Sequence, residues 1–130
     1  MDATAIDHTN LRIPEGGKAD ALTFYCDGLG FEADRLDEFE AGEKPFFAVR
    51  LTEDSVLHLW PDEDFEPPER TNFDHVAVRL DEDVEAVEAT LADAGVDVQD
   101  AFEPLGATGT GPAVYVEDPF GYRLELKCEP

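Results

Sequence analysis

The sequence predicts an α+β fold of two tandem βαβββ modules, and a long internal repeat is the first reason. The segment IDHTNLRIP, which starts at Ile6, aligns with FDHVAVRLD, which starts at Phe73, at an offset of 67 residues. The segment SVLHLW, which starts at Ser55, aligns with the residues around Arg123 at the same offset. Self-similarity over this length indicates that one structural unit is repeated.

A repeated order of elements is the second reason. In each copy a strand of alternating apolar residues comes first, apolar residues at helical spacing follow, and three strand-like segments complete the unit. We assign residues 1–130 to one domain, with module one at about 1–60, an acidic, proline-rich linker at 61–72 and module two at about 73–130.

Module one begins with a strand predicted from Thr9, Leu11 and Ile13, which alternate and would share one face. Its helix is predicted from apolar residues three and four positions apart, with two glycines ending the pattern: Leu22, Tyr25, Leu29, Gly28 and Gly30. The other three strands are predicted at Phe31–Glu38, Phe46–Leu51 and Ser55–Trp60.

Module two follows the same order, with a first strand predicted from Val76, Val78 and Leu80. Its helix is predicted from apolar residues at helical spacing, a capping aspartate and a closing glycine: Val84, Val87, Leu91, Ala94, Asp81 and Gly95. The other three strands are predicted at Val96–Phe102, Ala113–Glu117 and Gly121–Lys127.

Charge limits the partners of this chain. Its 130 residues include 9 Lys and Arg against 32 Asp and Glu, a formal net charge of −23. Such a chain repels nucleic acid and anionic membranes, so we predict neither as a partner. The acidic residues are spread from Asp2 to Glu129, which is typical of the solvated surface of proteins from salt-loving cells. The first residues show no secretory signal, and we predict a cytoplasmic protein.

Two thiols and three histidines are the residues with metal or redox chemistry. Cys26 and Cys128 lie 102 positions apart without a metal-binding spacing, and we expect both to be free. The histidines behave differently, since His8 and His75 occupy the same place in the first strand of each module. His58 then corresponds to Glu125 in the last strands, so every histidine of the chain lies at one of four repeat-related positions.

These four positions predict a metal site. By strand alternation His8, His58, His75 and Glu125 all point away from the apolar face, and two modules related by a pseudo-two-fold axis would bring them into one concavity. Three imidazoles and a carboxylate suit a divalent ion such as Ni, Zn, Co, Mn or Fe(II). On an octahedral ion they would leave two adjacent positions for a bidentate small-molecule substrate.

Three features of the chain point to a known family: the paired modules, the segment TFYCDGLGFE after the first strand and the segment YVEDPFGYRLEL at the end. In these features the sequence resembles the vicinal oxygen chelate superfamily over essentially the whole chain. This is the glyoxalase, bleomycin-resistance and extradiol dioxygenase group. The resemblance implies a curved, partly open mixed sheet with helices outside and a divalent metal at its inner face. His8, His58, His75 and Glu125 match the four ligand positions. The resemblance also implies a homodimer, in some members with the site shared between chains.

Isomerase or lyase chemistry of the glyoxalase or epimerase type is our first hypothesis. The metal would stabilise an enediolate and Glu125 would act as the base. The departure from the glyoxalase pattern is His58, because those enzymes usually carry a carboxylate there. An imidazole held on a metal cannot readily accept a proton, so His58 weakens the glyoxalase assignment without excluding isomerases.

Three alternatives remain open. An extradiol-type dioxygenase would hold Fe(II) with His8, His75 and Glu125, leaving His58 as an acid or base and Tyr115 facing the cavity. The histidine expected earlier in that signature is missing, since Gly106, Ala107 and Thr108 stand there. A metal-free, bleomycin-resistance-like protein would bind an aromatic ligand between Phe46, Trp60 and Tyr115. A fosfomycin-type transferase would need a basic cluster, and the cations assigned to the cavity face are Arg12, Arg79 and Arg123.

Overall fold

A computed structural model describes residues Met1–Pro130, which divide into two units, Met1–Glu66 and Pro67–Pro130. The first unit contains β1 His8–Pro14, α1 Lys18–Ala21, a π-helical segment Leu22–Gly28, β2 Glu32–Asp34, α2 Leu36–Glu40, β3 Phe47–Thr52 and β4 Ser55–Asp62. The second contains β5 Val76–Asp83, α3 Val84–Ala94, β6 Asp100–Phe102, β7 Leu105–Gly106, β8 Gly109–Thr110, β9 Ala113–Glu117 and β10 Arg123–Glu129. The mixed α+β class predicted from the sequence is confirmed.

The two units have the same sheet topology. Each holds an open four-stranded sheet, in the order β1-β4-β3-β2 and β5-β10-β9-β6, and β7 with β8 forms a separate two-stranded sheet. The first strand of each unit lies parallel to the last, and the other pairs are antiparallel. His58 lies opposite Asn10 in the first unit, and Glu125 lies opposite Ala77 in the second. These pairs are related by the 67-residue offset, so the internal repeat is present in the strand register itself.

One face of each sheet forms the core. In the first unit the buried side chains alternate along the strands: Leu11, Ile13, Val49, Leu57 and Leu59. In the second unit Val114, Val116, Leu124 and Leu126 are buried, and α3 packs on the same sheet with Val87 and Leu91. The apolar face predicted from the sequence is confirmed in both units, although β9 and β10 bury residues of both faces. Because neighbouring residues in a strand point to opposite faces, the predicted ligands lie on the other face.

The segment predicted as a strand at Phe31–Glu38 is a strand only in its first half. β2 ends at Asp34, and Arg35 adopts a left-handed conformation with φ of 59°. That conformation cannot continue a strand, and α2 begins at the next residue. Arg35 then donates to the Glu38 carboxylate one turn along, at 3.4 Å. The prediction was wrong here because the sequence offers no glycine or asparagine to mark the turn.

The remaining boundaries differ at the ends of elements. The helix of the first unit begins at Lys18 and widens into π-helical turns from Leu22. Of the strand predicted at Val96–Phe102, only Asp100–Phe102 pairs, and the β7–β8 hairpin was not predicted. Cys26 and Cys128 are both free, as expected. No helix is long and apolar enough to cross a membrane.

The cap of α3 is Asp83 rather than Asp81. β5 continues to Asp83, whose side-chain oxygen accepts a hydrogen bond from the backbone N–H of Ala86 at 2.9 Å. Asp81 was the wrong choice because it still lies within the strand. Gly95 ends the helix with φ of 70°, as predicted.

These two aspartates form a matched pair of variants. We expect Asp83→Ala to lower the free energy of unfolding by about 1 kcal/mol, because one N–H of the first helical turn loses its acceptor. Asp81→Ala removes the same charge from an exposed position and should change stability by less than about 0.5 kcal/mol. Urea unfolding of both variants at neutral pH measures the difference. Equal losses in the two variants would contradict the assignment of the cap.

Candidate metal centre

The first unit brings its two histidines together on the open face of the sheet. His8 starts β1 and His58 lies in the middle of β4, and their ring centroids are 4.3 Å apart with planes inclined by 27°. Their backbones are brought close by the parallel pairing of β1 with β4. Two imidazoles stacked at this distance can present nitrogen atoms to a common ion.

His8 and His75, which occupy equivalent positions in the two units, each follow an aspartate directly in the chain. The His8 Nδ1 atom lies 2.7 Å from Asp7 Oδ2, and the His75 Nδ1 atom lies 2.6 Å from Asp74 Oδ1. An ionised carboxylate can only accept, so Nδ1 carries the proton in both rings. In a neutral ring the lone pair is then on Nε2, which is the arrangement that metal-binding histidines show. The hydrogen bond from His75 also lowers the pKa of Asp74.

His58 is kept neutral by its surroundings. Burial lowers the pKa of this imidazole, and the nearby charges of His8 and Arg35 lower it further, while Asp7 opposes the shift. Phe46 packs against the ring with centroids 4.5 Å apart, which contributes to the burial. A neutral imidazole has a lone pair available for a metal, so these neighbours favour ligation at neutral pH.

A polar cavity opens beside His58. It has a volume of about 670 Å³, and Ala48, Arg50, Asp34 and Arg35 are among the residues that line it. Ala48 lies directly opposite His58 in the β3–β4 pairing. Because the side chain of Ala48 is only a methyl group, it leaves space over His58 that a ligand can occupy.

The second unit buries its predicted carboxylate ligand. Glu125 lies in the middle of β10 and is only 5% exposed, which is rare for a glutamate. The His75 Nε2 atom is 3.4 Å from Glu125 Oε2. His75 and Glu125 are therefore neighbours in the second unit, as His8 and His58 are in the first.

Tyr115 holds the other oxygen of this carboxylate. It lies opposite Glu125 in the β9–β10 pairing, and its hydroxyl donates to Glu125 Oε1 at 2.9 Å. Burial, this hydrogen bond and the charge of Glu125 together raise the pKa of Tyr115 to about 12. The ring is clamped by Phe102, stacked at 5.2 Å, and by the Arg123 guanidinium at 4.1 Å. Tyr115 thus lies on the same face of the sheet as Glu125, and its hydroxyl is engaged with this carboxylate.

The structure brings the predicted ligands together as two pairs, one in each unit. No group of three or more His, Cys, Asp and Glu side chains forms a cluster that could hold a metal ion. Sequence reasoning missed Asp7 and Asp74, although their repetition at the 67-residue offset was a usable signal. Sequence reasoning also missed Lys127, which lies on the same face of β10 as Glu125 and Arg123.

Known proteins resemble this chain over nearly its whole length. The sequence profile of the Glyoxalase/Bleomycin resistance protein/Dioxygenase superfamily matches residues 5–126. The chain belongs to this superfamily. A lactoylglutathione lyase of Neisseria meningitidis serogroup A is 33% identical over 123 residues, which cover 92% of this chain and 86% of that protein.

Solved structures share the fold. A glyoxalase family protein of Enterococcus faecalis superposes with a TM-score of 0.71 at 24% identity, covering 95% of this chain and 96% of that one. A virulence protein of Salmonella typhimurium superposes with a TM-score of 0.77 at 22% identity, covering all of both chains. At these identities the structural likeness establishes the fold alone.

The environment of Tyr115 predicts an unusual alkaline titration. Since its pKa in the folded protein lies near 12, above the ordinary value of 10.0, Tyr115 stays protonated at about pH 11. The stability that this shift contributes is complete below the ordinary value and is lost as the pH rises through the folded value. We expect the wild type and Tyr115→Phe to show equal tyrosinate absorbance at about pH 11. If the folded wild type shows one tyrosinate more than Tyr115→Phe at that pH, the result would contradict the hydrogen bond from Tyr115 to Glu125.

Proposed function

We propose that His8, His58, His75 and Glu125 ligate one divalent metal ion per chain, with Ni, Zn, Co, Mn and Fe(II) as the possible ions. The protein would then be a glyoxalase-type isomerase or lyase that acts on a small substrate with vicinal oxygens. The observation that supports this most directly is the repeated Asp–His pair. In both units an aspartate fixes the protonated Nδ1 and frees Nε2, beside a second residue able to bind a metal.

The donor set fits such an ion. Three imidazoles with one carboxylate are ligands of borderline divalent metals, and two of the imidazoles are oriented by carboxylates. The two pairs would serve the same ion whether they come from one chain or from two chains of a homodimer. We also propose a homodimer and a cytoplasmic location, on the family resemblance, and a surface adapted to high salt, on the acidic composition.

Glu125 is the proposed base. A divalent ion bound at this site would polarise a carbonyl oxygen of the substrate and so acidify the neighbouring carbon. The Glu125 carboxylate would accept the proton from that carbon and return it to the former carbonyl carbon. The hydroxyl proton of the substrate would pass to the former carbonyl oxygen, so the substrate is isomerised with no net change in atoms. Tyr115 donates to Oε1 and thereby fixes the direction in which Oε2 points. His58 is then purely a ligand, since a ligated imidazole cannot take the proton.

The aromatic stack beside His58 favours a second candidate function. Phe46 and Trp60 lie parallel with ring centroids 5.2 Å apart, and Phe46 also contacts His58. A metal-free ligand-binding protein of the bleomycin-resistance type would use such a wall for a planar ligand. Metal content separates the two functions. Iron as the bound metal would favour a dioxygenase over an isomerase.

We expect wild-type protein, purified without chelator, to contain about one divalent ion per chain by elemental analysis, and His8→Ala or His75→Ala to contain none. Each substitution removes one of the four ligands, and three remaining donors in two pairs would not retain the ion through purification. Glu117→Gln is the control, because Glu117 is an exposed carboxylate of β9 that accepts from Gln99. Full metal content in either histidine variant would sink the proposal of a shared ion.

The assignment of the base is tested with the hemithioacetal of methylglyoxal and glutathione. In metal-loaded protein we expect turnover in D₂O to incorporate deuterium at the carbon that receives the proton. Glu125→Gln should lower kcat by at least about 100-fold, because the amide cannot accept the proton.

Metal content is measured in the same samples, so that loss of the base is distinguished from loss of the ion. Glu117→Gln again serves as the control and should keep its rate. Undiminished turnover by Glu125→Gln that retains its metal would remove Glu125 as the base.

A further inference from the structure

Two cationic side chains flank Glu125 on one face of β10, and each buries a donor that has no acceptor. Arg123 lies two residues before Glu125 and Lys127 two residues after it. The Arg123 Nε and Lys127 Nζ atoms are the buried side-chain polar atoms without a hydrogen-bond partner. Buried donors are nearly always paired in folded proteins, so two buried donors without a partner mark a place where an acceptor from a ligand or an ordered water can bind.

Lys127 is the more enclosed of the two. It is 9% exposed, and its nearest charged partner is Glu125 Oε1, 4.0 Å from Nζ and so beyond hydrogen-bond distance. The β7–β8 hairpin passes directly over it at Gly106, where a Cβ would lie 2.8 Å from Nζ. The hairpin is tied to the same face, because Arg79 Nη1 donates to Thr108 Oγ1 at 2.9 Å.

The fold does not require cations at these positions. By the 67-residue offset, Lys127 corresponds to Trp60 in the first unit and Arg123 corresponds to Val56. The same strand in the same register is therefore built there with an aromatic and an aliphatic side chain. Burying an ammonium group instead costs free energy, which a ligand of opposite charge would offset.

Positive charge is also concentrated here against the trend of the whole chain. Residues 67–130 contain four lysines and arginines, and three of them share this face: Arg79, Arg123 and Lys127. The fourth, Arg70, is exposed in a turn. In a chain of net charge −23, such a local cluster of cations favours the binding of an anion at this face.

We propose that Lys127 and Arg123 bind a carboxylate of the substrate beside Glu125. This deepens the proposed function and rests on it, since it takes Glu125 as the place where the substrate reacts. The flexible stem of Lys127 lets its ammonium group turn toward the ligand, and the Arg123 guanidinium is already held by the ring of Tyr115. The preferred substrate is then a small oxo or hydroxy compound with a carboxylate next to its vicinal oxygens.

The test compares two probes that differ in one group. Hydroxypyruvate and hydroxyacetone carry the same vicinal oxygens, with a carboxylate in the first where the second has a methyl group. By calorimetric titration we expect the wild type to bind hydroxypyruvate at least about tenfold more tightly. Equal affinity for the two probes, or no binding of hydroxypyruvate, would overturn the proposal.

Variants assign the preference to these side chains. Lys127→Met, which keeps the length of the side chain, should abolish the preference, and Lys127→Arg should retain part of it. Arg70→Met removes one positive charge elsewhere in the same unit and should leave the preference unchanged. A preference that survives in Lys127→Met, or that falls equally in Arg70→Met, would show a nonspecific charge effect and overturn the assignment.

A second variant keeps every charge, in case Lys127→Met does not fold. Gly106→Ala places a methyl group against Nζ, so it should displace the ammonium and weaken the preference for hydroxypyruvate. An unchanged preference in folded Gly106→Ala would contradict the role of Lys127. All titrations are run with and without added divalent metal. Failure of the wild type to take up metal would overturn the proposed function. The preference for the carboxylate is evaluated separately in the titrations with metal and in those without it.

Discussion

In each unit the first strand runs parallel to the last, and this pairing determines what the open face of the sheet can present. The register of β1 with β4 puts His8 and His58 on one face, and the same register of β5 with β10 puts His75 beside Glu125. A slip of one residue would turn these side chains into the apolar core. The core residues on the other face therefore fix the positions of the candidate ligands, although none of the core residues is itself a candidate ligand.

The burial of Glu125 is the second constraint. A carboxylate removed from water is costly unless its lone pairs are used. Tyr115 supplies one hydrogen bond to Oε1, and Lys127 contributes positive charge 4.0 Å from the same oxygen. These contacts stabilise the charged group without saturating it, since a carboxylate has about four acceptor sites. A buried acceptor with sites to spare can take a metal or a proton.

The sequence was sufficient for the features that recur at short, regular spacing. Two-residue alternation and the 67-residue offset predicted most of the strands and the repeated order of elements. They also placed His8, His58, His75 and Glu125 at repeat-related positions, which the structure brings together as one pair in each unit. The turn at Arg35 could not be predicted, because a left-handed arginine leaves no trace in composition. The cap at Asp83 depended on how far β5 extends, which neighbouring strands decide rather than local sequence. Ligation of one ion by both pairs stays a prediction.

Divergence between the two copies gives the two units different chemistry on the same repeated fold. The register is conserved between the units, so each difference in side chain is a difference in local chemistry at a fixed place. Ala48 stands where Tyr115 stands in the second unit, which leaves a cavity over His58. Trp60 of the first unit occupies the position that corresponds to Lys127 of the second. The first unit therefore offers imidazoles, space and an aromatic wall, and the second offers a buried carboxylate among donors and cations.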